Sequence, residues 1–202
     1  MSGLINSKIR NIVNPSLPVA PTVYEQRFMD QYSNVMRLYF NQVSNSVNAP
    51  VVHGSFYSSQ DQTNPVASAV NLMTLNNTVA AFNVKIGEVP SRIYVAEDGV
   101  YNIQFSAQLD KSGGSASSVF IWIRINGINV PHSASKVVVD GPNAEVVAAW
   151  NWVVTLEEND YFEIAWSSSD TDLFIAEEPA TATVPEIPSV IVTVTWVSNV
   201  AL

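Results

Sequence analysis

Residues 99–172 read GVYNIQFSAQLDKSGGSASSVFIWIRINGINVPHSASKVVVDGPNAEVVAAWNWVVTLEENDYFEIAWSSSDTD, and the rhythm of this stretch decides the fold class. Apolar residues recur at every second position along Tyr101, Ile103 and Phe105. They do so again along Val119, Ile121, Ile123 and Ile125, with Phe120, Trp122 and Arg124 between them. A period of two places successive side chains on opposite faces of a strand, whereas a helix needs spacings of three and four. Asn126–Gly127 lies between two such runs and supplies the positive φ that both central positions of a tight hairpin require. Asp98–Gly99 and Asp140–Gly141 punctuate the chain in the same way. Extended in both directions, the pattern predicts strands over 51–58, 66–74, 79–85, 91–96, 99–110, 117–126, 128–137, 144–157, 161–169, 171–177 and 189–198. No helical run separates them, so residues 50–202 are expected to form an all-β antiparallel sandwich.

Some of these strands are apolar on both sides. Val146, Val147, Ala148, Ala149, Trp150, Trp152, Val153 and Val154 leave little room for a wet face, although an antiparallel sheet normally keeps one. A second buried face implies a subunit interface. The strands at 117–126 and 144–157 are expected to meet around a three-fold axis, with Phe120, Trp122, Trp150, Trp152 and Trp166 in the contact. Packing in core and interface is the reading for these aromatics, which alternate with the strand period; stacking on sugar rings is the alternative.

Composition points the same way. Of the 202 residues 47% are hydrophobic and 13% charged, where a typical domain carries about 25% charged residues. Much of the surface must then be uncharged or covered, and oligomerisation is the simplest outlet. Charge is also unevenly placed. Residues 1–50 hold Lys8, Arg10, Arg27 and Arg37 against Glu25 and Asp30, a net of +2; residues 51–202 hold five cations against 16 acids, a net of −11. An acidic body is not expected to bind nucleic acid, because that affinity rests on clustered cations neutralising phosphate. Its exposed loops are expected to repel anionic surfaces at low salt. The absence of cysteine excludes disulfides and thiolate metal sites. With no apolar run of about 18 residues and no signal-peptide pattern, membrane insertion is not expected, and the chain is expected to leave a cytoplasm as part of something larger.

The first 50 residues divide into two zones. In residues 1–22, Pro15, Pro18 and Pro21 recur every third position, which favours an extended path. Leu4, Ile5, Ile9, Ile12 and Val13 precede them and have no local partners, so this zone is expected to be an arm that docks on another protein. Residues 23–48 are expected to be helical, with Thr22 as N-cap and Glu25 completing a capping box. Met29, Tyr32, Met36, Tyr39 and Val43 recur at spacings of 3, 4, 3 and 4, the seam of a helical neck. An amphipathic helix lying on its own subunit is the competing reading.

Catalytic candidates are few. His53 and His132 lie far apart with no metal-ligand spacing around them, and there is no Gly-rich phosphate loop or G-x-S-x-G. The Ser112–Ser115 segment, SGGS, reads as a hairpin connection with no helix behind it. Asp170 and Asp172 stand two apart and are candidates to share a calcium ion, or else to cap a tight turn. No catalytic residue and no other cofactor is expected.

Five segments in order carry a family resemblance: GVYNIQFSAQLDK at 99–111, IWIRINGINVPHS at 121–133, VVAAWNWVVTL at 146–156, YFEIAWSSSDTD at 161–172 and IPSVIVTVT at 187–195. Together they resemble the trimeric jelly-roll domain found at the outer ends of bacteriophage appendages, similar in layout to the tumour necrosis factor and complement globular-head modules. The resemblance covers roughly residues 55–198. It implies a jelly-roll head, a homotrimer and a place on the virion surface, with residues 1–22 held by a capsid or tail protein. It carries no catalytic residue. The function it implies is a short structural appendage, a capsid decoration or a tail-attached fibre. A tip that binds a host receptor or surface glycan is the alternative, and a lyase or glycosidase domain is a third reading.

Overall fold

The computed structural model describes residues 14–47 and 50–199, which fall into two units divided after Pro50. The arm residues Ile5, Ile9, Ile12 and Val13 lie outside the described residues. In the first unit, residues 14–25 carry neither helix nor strand, and α1 spans Gln26–Val47. The helix starts three residues later than the capping-box pattern predicts. The carbonyl of Glu25 accepts the first helical hydrogen bond, from Met29 N at 3.2 Å, so Glu25 itself occupies the capping position. Among the described residues no helix is long and apolar enough to cross a membrane.

The second unit is an antiparallel jelly roll. Its strands are β1 (His53–Ser58), β2 (Gln62–Thr63), β3 (Asn71–Leu72), β4 (Asn77–Phe82), β5 (Val84–Ile86), β6 (Ile93–Val95) and β7 (Gly99–Lys111). They continue with β8 (Ser117–Ile125), β9 (Ile128–Asn129), β10 (Ser135–Val139), β11 (Val146–Leu156), β12 (Tyr161–Ser168), β13 (Leu173–Ile175) and β14 (Val190–Ser198). Sheet one runs β4–β1–β14–β7–β11, with β13 pairing the end of β7 and β2 beyond it. Sheet two runs β5–β6–β12–β8–β10, with β3 on β12 and β9 on β8. From β6 onward the chain changes sheet between β6 and β7, β7 and β8, β10 and β11, β11 and β12, and β12 and β13. The first strand pairs with the last, so both ends of the body lie in sheet one.

Alternation explains which side of each strand is inside. Tyr101, Ile103, Phe105, Ala107 and Leu109 of β7 are buried, and they face Val119, Ile121 and Ile123 of β8 and Phe162, Ile164 and Trp166 of β12 in one core. Each such side chain taken fully from water contributes roughly 1.5–3 kcal/mol before chain entropy is counted. Asn126 and Gly127 have φ of 50° and 80°, as the hairpin between β8 and β9 requires.

Local departures have local causes. The expected strand 79–85 is two strands in different sheets, because Asn83 with φ 56° turns the chain from β4 into β5. The expected strand 128–137 is broken at Pro131 and His132, the latter with φ 62°, leaving β9 and β10. Only Asn71 and Leu72 of the expected 66–74 strand pair, while β2 has no counterpart in the pattern. Gly99 is not a turn residue. It lies inside β7, where an added Cβ would sit 2.2 Å from Trp196 Nε1.

Candidate functional site

The five aromatics expected to share one interface do not share a face. In an antiparallel ladder directly paired residues project to the same side, and Trp150 and Trp152 pair with the buried Phe105 and Ile103. Both tryptophans therefore point inward, closing the open edge of the sandwich. Phe105 meets Trp150 edge-on at 4.7 Å and stacks on Trp152 at 5.1 Å, and Trp152 Nε1 donates to the Ser133 carbonyl at 2.9 Å. Trp166 is 1% exposed in the middle of the core. Phe120 and Trp122 alone of the five point outward, and they do so from sheet two. The sequence pattern misassigned β11 because both of its parities are apolar, so periodicity cannot say which side is in.

The outward side of sheet one has a different character. It presents His53, Ser55 and Tyr57 on β1, Ile191, Thr193 and Thr195 on β14, and Val100, Asn102, Gln104, Ser106 and Gln108 on β7. Val147, Ala149, Asn151, Val153 and Thr155 of β11 complete it. None of these is Asp, Glu, Lys or Arg; the charge on this side is Asp110, two positions beyond Gln108 at the end of β7. Val147 and Val153 are 58% and 62% exposed, and Asn151 Nδ2 bonds Asn102 Oδ1 at 2.8 Å across the face. Four strands about 4.8 Å apart and about eight residues long make roughly 400 Å² of uncharged sheet, the scale on which exposed surface marks a contact.

The outward side of sheet two is the opposite. Of the body's five cations, Lys85, Arg92, Arg124 and Lys136 stand on it. Glu163 is 2% exposed and holds two of them, Arg92 Nε at 3.2 Å and Arg124 Nη1 at 3.5 Å, with Ser91 Oγ at 3.3 Å. Arg92 lies over the Tyr161 ring at 4.6 Å, and Tyr161 packs on Tyr94 at 5.2 Å. Trp122 Nε1 donates to Asn129 Oδ1 at 2.8 Å.

The fifth cation, Lys111, is fully buried at the end of β7. Its ammonium contacts Asp170 Oδ2 at 2.5 Å and Ser117 Oγ at 2.6 Å, and donates to the Ser115 carbonyl. Hydrogen bonds from Lys111, and then from Ser117 and the Asp172 backbone, hold the Asp170 carboxyl down to about 2. This corrects the expectation of a calcium ion shared by Asp170 and Asp172. A lysine already stands where the cation was expected, and the Asp172 carboxylate lies instead over Gly113. Asp170 Oδ1 accepts from Asp172 N at 3.0 Å, the turn-capping geometry. Among the described residues no three His, Cys, Asp or Glu side chains converge as metal ligands. His53 Nδ1 lies 2.8 Å from the Val51 carbonyl on an exposed strand end, and His132 sits in the loop between β9 and β10.

On α1, Met36, Tyr39 and Val43 are half-buried, while Met29 and Tyr32 are 42% and 36% exposed. Phe28 stacks on Tyr32 at 6.2 Å and widens the apolar stripe. The helix carries only Arg27, Asp30 and Arg37 as charges. No family model matches the chain, and the curated proteins contain no match either.

Proposed function

We propose that this chain is a non-enzymatic structural protein of a bacteriophage virion, a short homotrimeric appendage anchored through its N-terminal arm. The observation that carries the reading is the uncharged expanse on the outward side of sheet one, bordered by Asp110 at the end of β7. In a body of net charge −11, sixteen neighbouring surface positions on four strands lack any carboxylate, ammonium or guanidinium group. Water-facing sheets do not need that, and a face that meets copies of itself does, because like charges brought together across a symmetric contact would repel. The virion assignment is supported by the five-segment resemblance and by the nearly uncharged helix with its continuous apolar stripe, which fits a neck between anchor and head. With catalytic groups scattered, the module binds and assembles.

Sedimentation of the full chain tests this directly. Three copies of 22.0 kDa are expected to travel as one species at micromolar concentration. Val153→Asp places a charge on the covered face and is expected to yield folded monomers. A wild-type monomer, or a trimer indifferent to Val153→Asp, would overturn the assignment of this face.

A further inference from the structure

Sheet one accounts for assembly but leaves the cationic side of sheet two unused. The body's charge is sorted by position: among its 16 acids only Asp110 and Glu163 stand on strands, and the rest lie in loops and turns. The cations do the reverse. Lys85, Arg124 and Lys136 stand on β5, β8 and β10, and Arg92 immediately precedes β6. Against these four, the outward side of sheet two offers one carboxylate, Glu163, leaving a local charge of +3 on a protein that is −9 overall. Lys85 and Lys136 are exposed and stand on the two outermost strands, four strand spacings or about 19 Å apart.

Aromatic rings stand between them, and two of the three are held by neighbouring side chains. Trp122 is pinned by its bond to Asn129, Tyr161 is clamped between Arg92 and Tyr94, and Phe120 is 45% exposed beside Lys136. Glu163, buried under the two guanidinium groups, fixes those groups in place. Rings and cations held in position before a ligand arrives reduce the ordering cost of binding.

We propose that the outward side of sheet two binds an acidic polysaccharide, its sugar rings lying on Phe120 and Trp122 and its anionic groups meeting Lys85, Arg92 and Lys136. Two features select this occupant. Four cations, two of them already sharing the Glu163 carboxylate, leave too little free positive charge to neutralise the phosphates of a nucleic acid. An acidic polypeptide would use the charges and leave the pinned rings idle, whereas a sugar polymer presents ring faces and repeated anions together. The proposal rests on the trimer reading only in that a covered sheet one turns sheet two outward.

The test uses the full chain and immobilised polygalacturonate, with neutral dextran, poly-glutamate and a thymidine oligonucleotide as comparisons. Retention on polygalacturonate and not on dextran is expected at 20 mM salt, weakening as salt rises. Lys85→Glu combined with Lys136→Glu is expected to weaken it at least tenfold. Phe120→Ala is expected to weaken polygalacturonate binding several-fold without moving the melting temperature. Failure to retain wild type on polygalacturonate overturns the proposal. So does equal retention on poly-glutamate or the oligonucleotide with no effect of Phe120→Ala, which would assign the surface to charge alone. Sedimentation in the same buffer separates the two readings, because a trimer that ignores polygalacturonate loses only this one.

Discussion

At the scale of single residues, two buried ionic clusters carry testable consequences. Asp170 is depressed in the folded state to about 2, below the ordinary value of 3.8 that it regains on unfolding. A carboxylate of that kind contributes stability that is complete above the unfolded value and lost as pH falls through the folded one. Asp170→Asn, which leaves the Lys111 ammonium buried without its counter-charge, is expected to cost about 3 kcal/mol at pH 7. The stabilities of variant and wild type should converge between pH 4 and pH 2. Denaturant titrations across that window check this, and parallel curves would remove Asp170 from the acid response. Glu163→Gln, which leaves Arg92 and Arg124 facing each other with a neutral amide, is expected to cost about 2 kcal/mol by the same measurement. The Asp170 pair was visible in the sequence only as two acids near a turn. That its partner is a lysine across the loop from β7 depends on a contact between distant strands, which spacing does not encode.

At the scale of elements, β11 is where the two sides of a strand have different work. Trp152→Ala empties the space stacked on Phe105 and is expected to lower domain stability by about 3 kcal/mol while leaving the assembly of the folded fraction intact. Val153→Asp, one residue on and facing out, should do the reverse. Thermal melts and sedimentation on the two variants distinguish the faces, and identical behaviour would mean that the strand has no such division. The helix offers a parallel case. Met36→Lys places a charge in the half-buried stripe of α1 and is expected to weaken the trimer several-fold without unfolding the jelly roll. The helix itself was legible from its spacing of 3 and 4, because that stripe is a local property. Its start was not, since the capping-box pattern at Thr22 and Glu25 was matched in sequence without being used in structure.

For the whole molecule, division of labour follows from where charge is absent, where it is positive and where it is negative. The outward side of sheet one is uncharged apart from Asp110 and is proposed for assembly, that of sheet two is cationic and is proposed for a ligand, and the loops carry most of the acids. The repulsion from anionic surfaces expected from the net charge of −11 therefore belongs mostly to the loops. Deleting residues 1–22 is expected to leave the trimer folded and unable to enter virions. Incorporation at normal level, measured by quantitative immunoblot of purified particles, would place the attachment in the helix or the head instead.

Local patterns in the sequence were enough for the class of fold, the hairpin at Asn126–Gly127 and the helix. Each of these depends on residues within a few positions of one another. The tertiary structure decided which parity of each strand faces in, which sheet each strand joins, and which distant residues become neighbours. A period of two fixes that a strand has two faces but not which one the core takes, and in β11, apolar on both, only packing against Phe105 settles it. The collection of Lys85, Arg92, Arg124 and Lys136 on one face has the same origin. These residues are scattered over 52 positions of sequence and meet only because the jelly roll lays β5, β6, β8 and β10 into one sheet.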